Sequence, residues 1–279
     1  MKKLFTQLMV LGYGKYFNLF SLFAPQNTAN KAFVLFCTVR KGRVLPQQAD
    51  YLEQAKNKTV EVSGHQLQTY SWPGTKETVL LVHGWESNTF RWRNLIKKLK
   101  EANFNIIAFD APSHGHSTGK LLYVPLYEEA VHYMIKKHNP KYVIGHSVGG
   151  MTLMYNEYKN PNPEVEKIVT IGSPSEFHEI MDQFQSLVKF SDRFMSVMDD
   201  YIFNRFGFHI REFSTSEFAK SNTKKGLLFH DRLDLIAPYH ASEKVHRNWE
   251  NSQLVSTEGL GHSMHQEDVN NQIIEFLEA

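Results

Sequence analysis

Residues 141–154 read KYVIGHSVGGMTLM, and this stretch decides the fold. An apolar run from Tyr142 to Ile144 stops at Gly145, and apolar residues at helical spacing follow Gly150. The pattern predicts a short buried strand that turns directly into a helix, with Ser147 at the corner. So tight a corner strains the backbone of the serine and leaves no room for side chains two residues before or after it. Glycine stands at both of those places.

The five residues from Gly145 to Gly149 match the pattern G-x-S-x-G, in which the serine is a nucleophile. The bare pattern is common by chance, so the strand before it and the helix after it carry the interpretation. Ser147 would stand beside the first turn of the new helix. There the amide of Val148 and the helix dipole can stabilise a developing oxyanion.

Length and composition indicate a soluble globular protein. The 279 residues are enough for one large α/β domain or two small ones, and the hydrophobic fraction is 42%. A formal net charge of +2 gives no reason to expect a nucleic-acid partner. The single cysteine, Cys37, excludes an intrachain disulfide and fits a reducing compartment such as the cytoplasm. Because Cys37 lies in an apolar run, we expect it to be buried.

The first 45 residues differ from the rest of the chain. Their apolar run is too often interrupted for a membrane-spanning helix, which needs about 20 apolar residues, and it is weak as a signal peptide. Apolar and aromatic residues recur at helical spacing, with Phe5, Leu8 and Met9 among the first. Such helices could pack on the main domain, or they could rest on a membrane surface as a peripheral contact. Gly12 and Gly14 favour packing, because they would weaken a free interfacial helix.

Beyond residue 46, strands and helices alternate. A predicted hairpin over residues 59–70 precedes apolar strands at 78–82, 106–109, 142–144, 167–171, 226–229 and 253–255. Helical patterns at 90–102, 127–138, 242–247 and 267–277 lie between or after these strands. The alternation predicts an α/β fold with a mostly parallel central sheet and helices on both faces.

Residues 173–222 interrupt that alternation. The stretch is rich in phenylalanine and methionine at helical spacing, and no strand pattern is evident in it. We interpret it as an inserted helical cap over the carboxyl ends of the strands, where open α/β sheets bind their ligands. The predicted organisation is therefore an N-terminal helical extension over 1–45 and a main domain over 46–279 that carries this insertion.

From about Val60 to the C-terminus the chain resembles the α/β-hydrolase superfamily. Four markers follow one another in the order found in that family. They are His83-Gly84 at the end of a strand, the serine corner, Asp234 after a later strand, and Gly261-His262-Ser263 after the last strand. The resemblance implies an α/β-hydrolase fold, and it does not cover the first 45 residues.

The resemblance also implies a role for each marker. Ser147 would be the nucleophile, His262 would take and return its proton, and Asp234 would orient and stabilise the imidazolium. The amides of Trp85 and Val148 would form the oxyanion hole.

Asp231 is a rival for the role of Asp234. The family more often has glycine after the residue that corresponds to His230, so this chain departs from the pattern. The spacing of Asp234 to Pro238 favours Asp234, and Asp231 would then cap a turn or face solvent.

The sequence predicts neither a metal site nor a nucleotide cofactor. The histidines show no H-E-x-x-H or cysteine-paired spacing, and neither G-x-G-x-x-G nor a P-loop is present. The predicted substrate is a small carboxylic ester with an apolar acyl or alcohol group, cleaved through an acyl-enzyme. A thioesterase, a lactonase, an acyltransferase or a carbon–carbon bond hydrolase could use the same three residues. An alternative from another class is a non-catalytic, membrane-associated binding protein. The presence of Ser147, Asp234 and His262 together argues against it, because a family member without activity need not keep all three residues.

Overall fold

A computed structural model describes the backbone of residues 2–279 and the side chains from Val10 onward. The predicted apolar positions Phe5, Leu8 and Met9 therefore lie outside the described side chains. The chain forms two compact units. A helical unit comprises the residues up to Thr38 together with Glu176–Ser214, and a sheet unit comprises Val39–Ser175 and Thr215–Ala279.

The helices and strands follow one another along the chain as listed here. They are α1 (Lys2–Phe20), α2 (Pro25–Cys37), α3 (Pro46–Glu53), β1 (Lys56–Val62), β2 (His65–Trp72), β3 (Thr78–Val82), α4 (Arg93–Glu101), β4 (Asn105–Phe109), α5 (Val124–His138), β5 (Tyr142–His146), α6 (Val148–Lys159), β6 (Lys167–Ile171), α7 (Phe177–Val188), α8 (Asp192–Phe206), α9 (Thr215–Phe218), β7 (Lys225–Asp231), α10 (His240–Asn248), β8 (Ser252–Thr257) and α11 (Glu267–Glu278). Short 3-10 turns precede α4 and follow α9.

The sheet unit contains one eight-stranded sheet in the order β1-β2-β4-β3-β5-β6-β7-β8. β2 runs antiparallel to both of its neighbours, and all other neighbouring strands are parallel. β4 lies on one side of β3 and β5 on the other. The loops that leave the carboxyl ends of β3 and β5 therefore diverge, which is where open α/β sheets form a crevice.

Helices cover both faces of this sheet, as the sequence predicted. Side chains alternate along β3, so that Val79 and Leu81 face one core and Leu80 and Val82 face the other. The first core contains residues of α4 and α11, and the second contains residues of α5, α6 and α10. Burial on both faces explains why the parallel strands read as continuous apolar runs.

The helical unit joins the two N-terminal helices to the helices of the insertion. Phe17 of α1 stacks on Phe194 of α8, with ring centroids 5.8 Å apart. A Cβ atom on Gly14 would lie 2.0 Å from the carbonyl oxygen of Val188, so glycine is what lets α1 approach α7 this closely. Cys37 is buried here as predicted, and burial raises the pKa of its thiol. Within this unit, α1 and α2 therefore pack on the insertion helices.

The helical unit is smaller than the predicted extension and insertion taken together. Residues 39–45 belong to the sheet unit, since the Arg43 guanidinium donates to the carbonyl oxygens of Gly115, Ser117 and Gly119. At the other end, α9 also belongs to the sheet unit. Its Phe218 stacks on the ring of α6 residue Tyr158, with centroids 4.4 Å apart. The predicted position of the insertion over the strand ends stays a prediction.

Candidate active site

Ser147 occupies the corner between β5 and α6 with φ 53° and ψ −126°, a strained conformation for a residue other than glycine. A Cβ atom on Gly145 would lie 2.6 Å from the backbone of Gly150. One on Gly149 would lie 2.3 Å from the carbonyl oxygen of Val82. Both distances are too short for real Cβ contacts, so the corner requires glycine at both places, as the sequence predicted.

The loop after β3 lies directly against this corner. A Cβ atom on Gly84 would be 2.9 Å from the Cβ of Ser147, and Trp85 is the next residue along that loop. Val148 is the first residue of α6, where backbone N–H groups have no partner within the helix and the dipole is positive. The two amides predicted for an oxyanion hole therefore belong to the two segments that meet at Ser147.

His262 and Asp234 form a hydrogen-bonded pair, with 2.7 Å between His262 Nδ1 and Asp234 Oδ2. The other carboxylate oxygen, Oδ1, accepts the amides of Ile236 at 2.8 Å and Ala237 at 3.1 Å. Burial alone would raise the pKa of Asp234, but hydrogen bonds from His230, His262 and Ile236 outweigh it and hold this pKa well below its usual range. The carboxylate is therefore ionised at neutral pH. It accepts the proton that His262 carries on Nδ1, so Nε2 is the ring nitrogen that this carboxylate does not engage.

His146 connects this pair to the serine corner. Its Nε2 donates to the backbone carbonyl oxygen of His262 at 3.0 Å, and the two rings are 4.8 Å apart. Burial lowers the pKa of His146 well below the usual value, so its ring is neutral at pH 7. Among the described residues, no hydrogen bond joins Ser147 Oγ to His262, and such bonds often tighten only with substrate bound. Sequence reasoning did not assign His146 a role, and its only signal was its place inside the G-x-S-x-G motif.

A second side chain, that of Arg91, also contacts the loop that carries His262. Arg91, just before α4, donates from Nη2 to the carbonyl oxygen of Ser263 at 2.8 Å. The carbonyl groups of His262 and of the next residue are thus each held by a side chain from elsewhere in the sheet unit. Nothing in the sequence pattern pointed to Arg91.

Asp231 is engaged elsewhere. Its Oδ1 accepts the amides of Leu233 and Gly259, and its Oδ2 accepts the hydroxyl of Thr257 and the amide of Leu260. These four donors tie the end of β7 to the loop that follows β8. Asp231 therefore supports the segment leading to His262, while Asp234 contacts the imidazole itself.

Two further histidines, His83 and His114, are held as neutral rings. Each donates from Nδ1 to a nearby backbone carbonyl and accepts a backbone amide at Nε2, from Ala111 in the first case and Glu86 in the second. Burial lowers the pKa of His83 to about 4 and that of His114 to about 3. Both rings position the loops after β3 and β4 and carry no charge at pH 7.

We expect these histidines to make the fold sensitive to mild acid. In the unfolded chain their pKa returns to about 6.5, so below that pH the unfolded state binds more protons. The free energy of unfolding should then decrease as the pH is lowered below about 6.5, by up to about 1.4 kcal/mol per pH unit for each histidine. Urea unfolding at two pH values, about 7.5 and about 5.5, measures the loss, and His114→Gln should show a smaller one. Equal stability of the wild type at both pH values would contradict this account.

Within the described part of the chain, no group of three or more histidine, cysteine or acidic side chains is placed to hold a metal ion.

Comparison with known proteins agrees with this architecture. A family model described as the alpha/beta hydrolase fold matches residues 77–210. An abhydrolase domain-containing protein of Schizosaccharomyces pombe is 27% identical over 179 residues, which cover 57% of this chain and 63% of that protein. The chain thus spans less than two thirds of the length of this curated relative.

Solved structures show the same fold at low sequence identity. Est1E from Butyrivibrio proteoclasticus, solved with ferulic acid bound, has a TM-score of 0.67 at 18% identity, covering 79% of this chain and 98% of Est1E. A meta-cleavage product hydrolase from Pseudomonas fluorescens has a TM-score of 0.61 at 15% identity, covering 81% of this chain and 98% of that enzyme. With the serine corner and the strand order described above, these matches lead to one conclusion: the chain has the α/β-hydrolase fold.

Proposed function

We propose that the protein is a serine hydrolase that cleaves carboxylic esters with an apolar acyl or alcohol group through an acyl-enzyme. The observation that carries the proposal is the 2.7 Å hydrogen bond between His262 and Asp234. The loop that carries His262 is held by His146, which is the residue just before the strained corner at Ser147. A base oriented by a buried carboxylate is what a neutral serine needs to become a nucleophile.

The first half of the reaction forms the acyl-enzyme. Ser147 Oγ attacks the carbonyl carbon of the ester while His262 Nε2 takes the hydroxyl proton. The carbonyl oxygen becomes an oxyanion, stabilised by the amides of Trp85 and Val148, each worth roughly 3 to 4 kcal/mol of barrier. The tetrahedral intermediate then expels the alcohol, which receives its proton from His262.

The second half releases the acid. Water replaces the alcohol, gives a proton to His262 Nε2 and attacks the acyl carbon. Collapse of the second tetrahedral intermediate returns that proton to Ser147 Oγ and frees the carboxylic acid. Asp234 stays ionised throughout and stabilises the imidazolium that forms twice in each cycle.

The apolar preference rests on the aromatic composition of the insertion, since substrate choice in a shared fold depends on the residues around the site. The neighbours include an enzyme crystallised with ferulic acid and a meta-cleavage product hydrolase, so the fold alone does not select the bond that is cleaved. Thioesterase, lactonase, acyltransferase and carbon–carbon hydrolase activities would use the same Ser147, Asp234 and His262.

A series of nitrophenyl esters of increasing acyl length tests the proposal. We expect kcat/KM to rise from acetate towards medium chains, because each buried methylene can contribute up to about 0.8 kcal/mol. Thioesters of matched acyl length, run in parallel, separate ester from thioester preference. Equal or best rates on acetate would overturn the apolar preference. Failure of the folded protein to hydrolyse any member of either series would favour the non-catalytic alternative.

A further inference from the structure

The C-terminal part of α1 is held against the insertion helices of the helical unit by Phe17 and Asn18. The Asn18 side chain donates to the carbonyl oxygen of Lys189 at 3.0 Å and accepts the amide of Ser191 at 2.8 Å. Phe17, one residue earlier, is buried against the rings of Phe190 and Phe194. The orientation of α1 within the helical unit is therefore fixed, and so is the side that it turns outward.

That outward side is strongly apolar. Four large side chains at the end of α1 and in the turn after it are exposed, and we call them the outer patch: Leu19 (53%), Phe20 (45%), Leu22 (44%) and Phe23 (78%). The turn continues the helix, since the amide of Leu22 bonds to Leu19 and that of Phe23 to Phe20, so the four side chains lie within one short segment. Contiguous exposed apolar groups of this kind usually mark an interaction surface.

The charge of this part of the chain identifies the partner. The first 38 residues, which belong to the helical unit, contain no aspartate or glutamate, but they contain four cations: Lys2, Lys3, Lys15 and Lys31. Lys31 stands next to the outer patch, because its Nζ donates to Tyr16 Oη at 2.9 Å and the Tyr16 ring is 4.5 Å from that of Phe20. Apolar side chains bordered by cations match the interface of an anionic bilayer.

We propose that the outer patch docks on the surface of a bilayer that contains anionic phospholipids. Leu19, Phe20, Leu22 and Phe23 would enter the boundary between headgroups and acyl chains, while Lys15 and Lys31 would face the lipid phosphates. The contact is peripheral, because no described helix is long and apolar enough to cross a membrane. Packing of α1 on the insertion helices uses Phe17 and Asn18, whereas docking on lipid would use side chains that stay exposed, so the two interpretations of the N-terminus are compatible. The proposal does not depend on the proposed hydrolase activity.

Co-sedimentation of the full chain with vesicles tests this inference. Vesicles of phosphatidylcholine alone are compared with vesicles in which about a third of the lipid is phosphatidylserine, at low and high salt. We expect the partition coefficient to be at least about tenfold higher on the anionic vesicles and to fall several-fold in high salt. Phe20→Ser combined with Phe23→Ser should lower it by about tenfold or more. Lys15→Glu combined with Lys31→Glu should lower binding to the anionic vesicles only.

The matched control is Leu45→Ser in the sheet unit, whose side chain is as exposed as that of Phe20, at 48%. It should bind vesicles like the wild type, and circular dichroism should show every variant folded. Equal binding of the wild type to both kinds of vesicle would overturn the proposal, and so would unchanged binding of the Phe20 and Phe23 variant. If that variant instead converts a dimer to a monomer while the wild type ignores vesicles, the outer patch covers a second copy of the chain.

Discussion

Ser147→Ala is expected to abolish covalent labelling by a fluorophosphonate and to lower kcat for ester hydrolysis by roughly 10⁵- to 10⁶-fold. The hydroxyl oxygen of Ser147 forms the bond to the acyl group. Alanine has no nucleophilic atom at this position, so no acyl-enzyme can form even though His262 is still present as the base. The small side chain keeps the corner open, so the fold should survive. Intact mass after labelling and steady-state kinetics on the best ester measure the two effects.

The chain offers a matched control for this variant. Ser173 is as buried as Ser147, at 7% exposure, and its hydroxyl donates to the Ser147 carbonyl oxygen at 3.2 Å. Ser173→Ala removes the same atoms from the same neighbourhood, but it leaves the nucleophile in place. We expect full labelling and activity within about tenfold of the wild type. A Ser147→Ala protein that still acquires one adduct, or a folded wild type that acquires none, would contradict the assignment.

Asp234→Asn should lower kcat by about 10⁴-fold and leave the fold intact. An amide cannot stabilise the imidazolium, and its NH₂ group would favour the His262 tautomer with the proton on the wrong nitrogen. The loss should therefore fall on kcat, with KM changed little. Burst kinetics with an activated ester would show slow acylation directly.

Asp231→Asn provides the comparison. Its carboxylate accepts four hydrogen bonds within the β7 and β8 loops, so we expect a loss of about 1 to 3 kcal/mol in the free energy of unfolding, with kcat reduced by less than about tenfold. Asp234→Asn should thus lower mainly kcat, whereas Asp231→Asn should lower mainly the urea midpoint of unfolding. If Asp231→Asn were the variant with the larger loss of kcat, the roles given to the two carboxylates would have to be exchanged.

Much of the sheet unit could be predicted from the sequence because its strands are parallel and buried on both faces. β3 and β6 begin and end at the predicted residues, since each is a continuous apolar run bounded by polar residues or glycine. The corner at Ser147 was equally readable, because its tight geometry demands glycine at fixed spacing.

Contacts between residues that are far apart in the chain could not be predicted from the sequence. The three carbonyl oxygens that hold Arg43 lie more than 70 positions away, and no local pattern marks them. The apolar faces of α1 and α2 predicted that something would cover them, but periodicity does not say what, and the insertion helices proved to be the partner. His146 is similar, since its contact with the His262 backbone depends on how two distant loops meet.

Because the helical unit is assembled from two separated stretches, the order of synthesis on the ribosome has a consequence. α1 and α2 leave the exit tunnel first, while α7 and α8 follow only after six strands of the sheet unit have been made. At about 5 to 20 residues per second, the aromatic side of α1 waits on the order of 10 s for its partners. During that interval Phe17 and Phe33 lack the insertion helices that cover them in the folded chain, so the nascent chain exposes apolar surface that can aggregate. A shortened gene that begins at Val39 would create the reverse problem, leaving Phe194 and Tyr201 permanently uncovered.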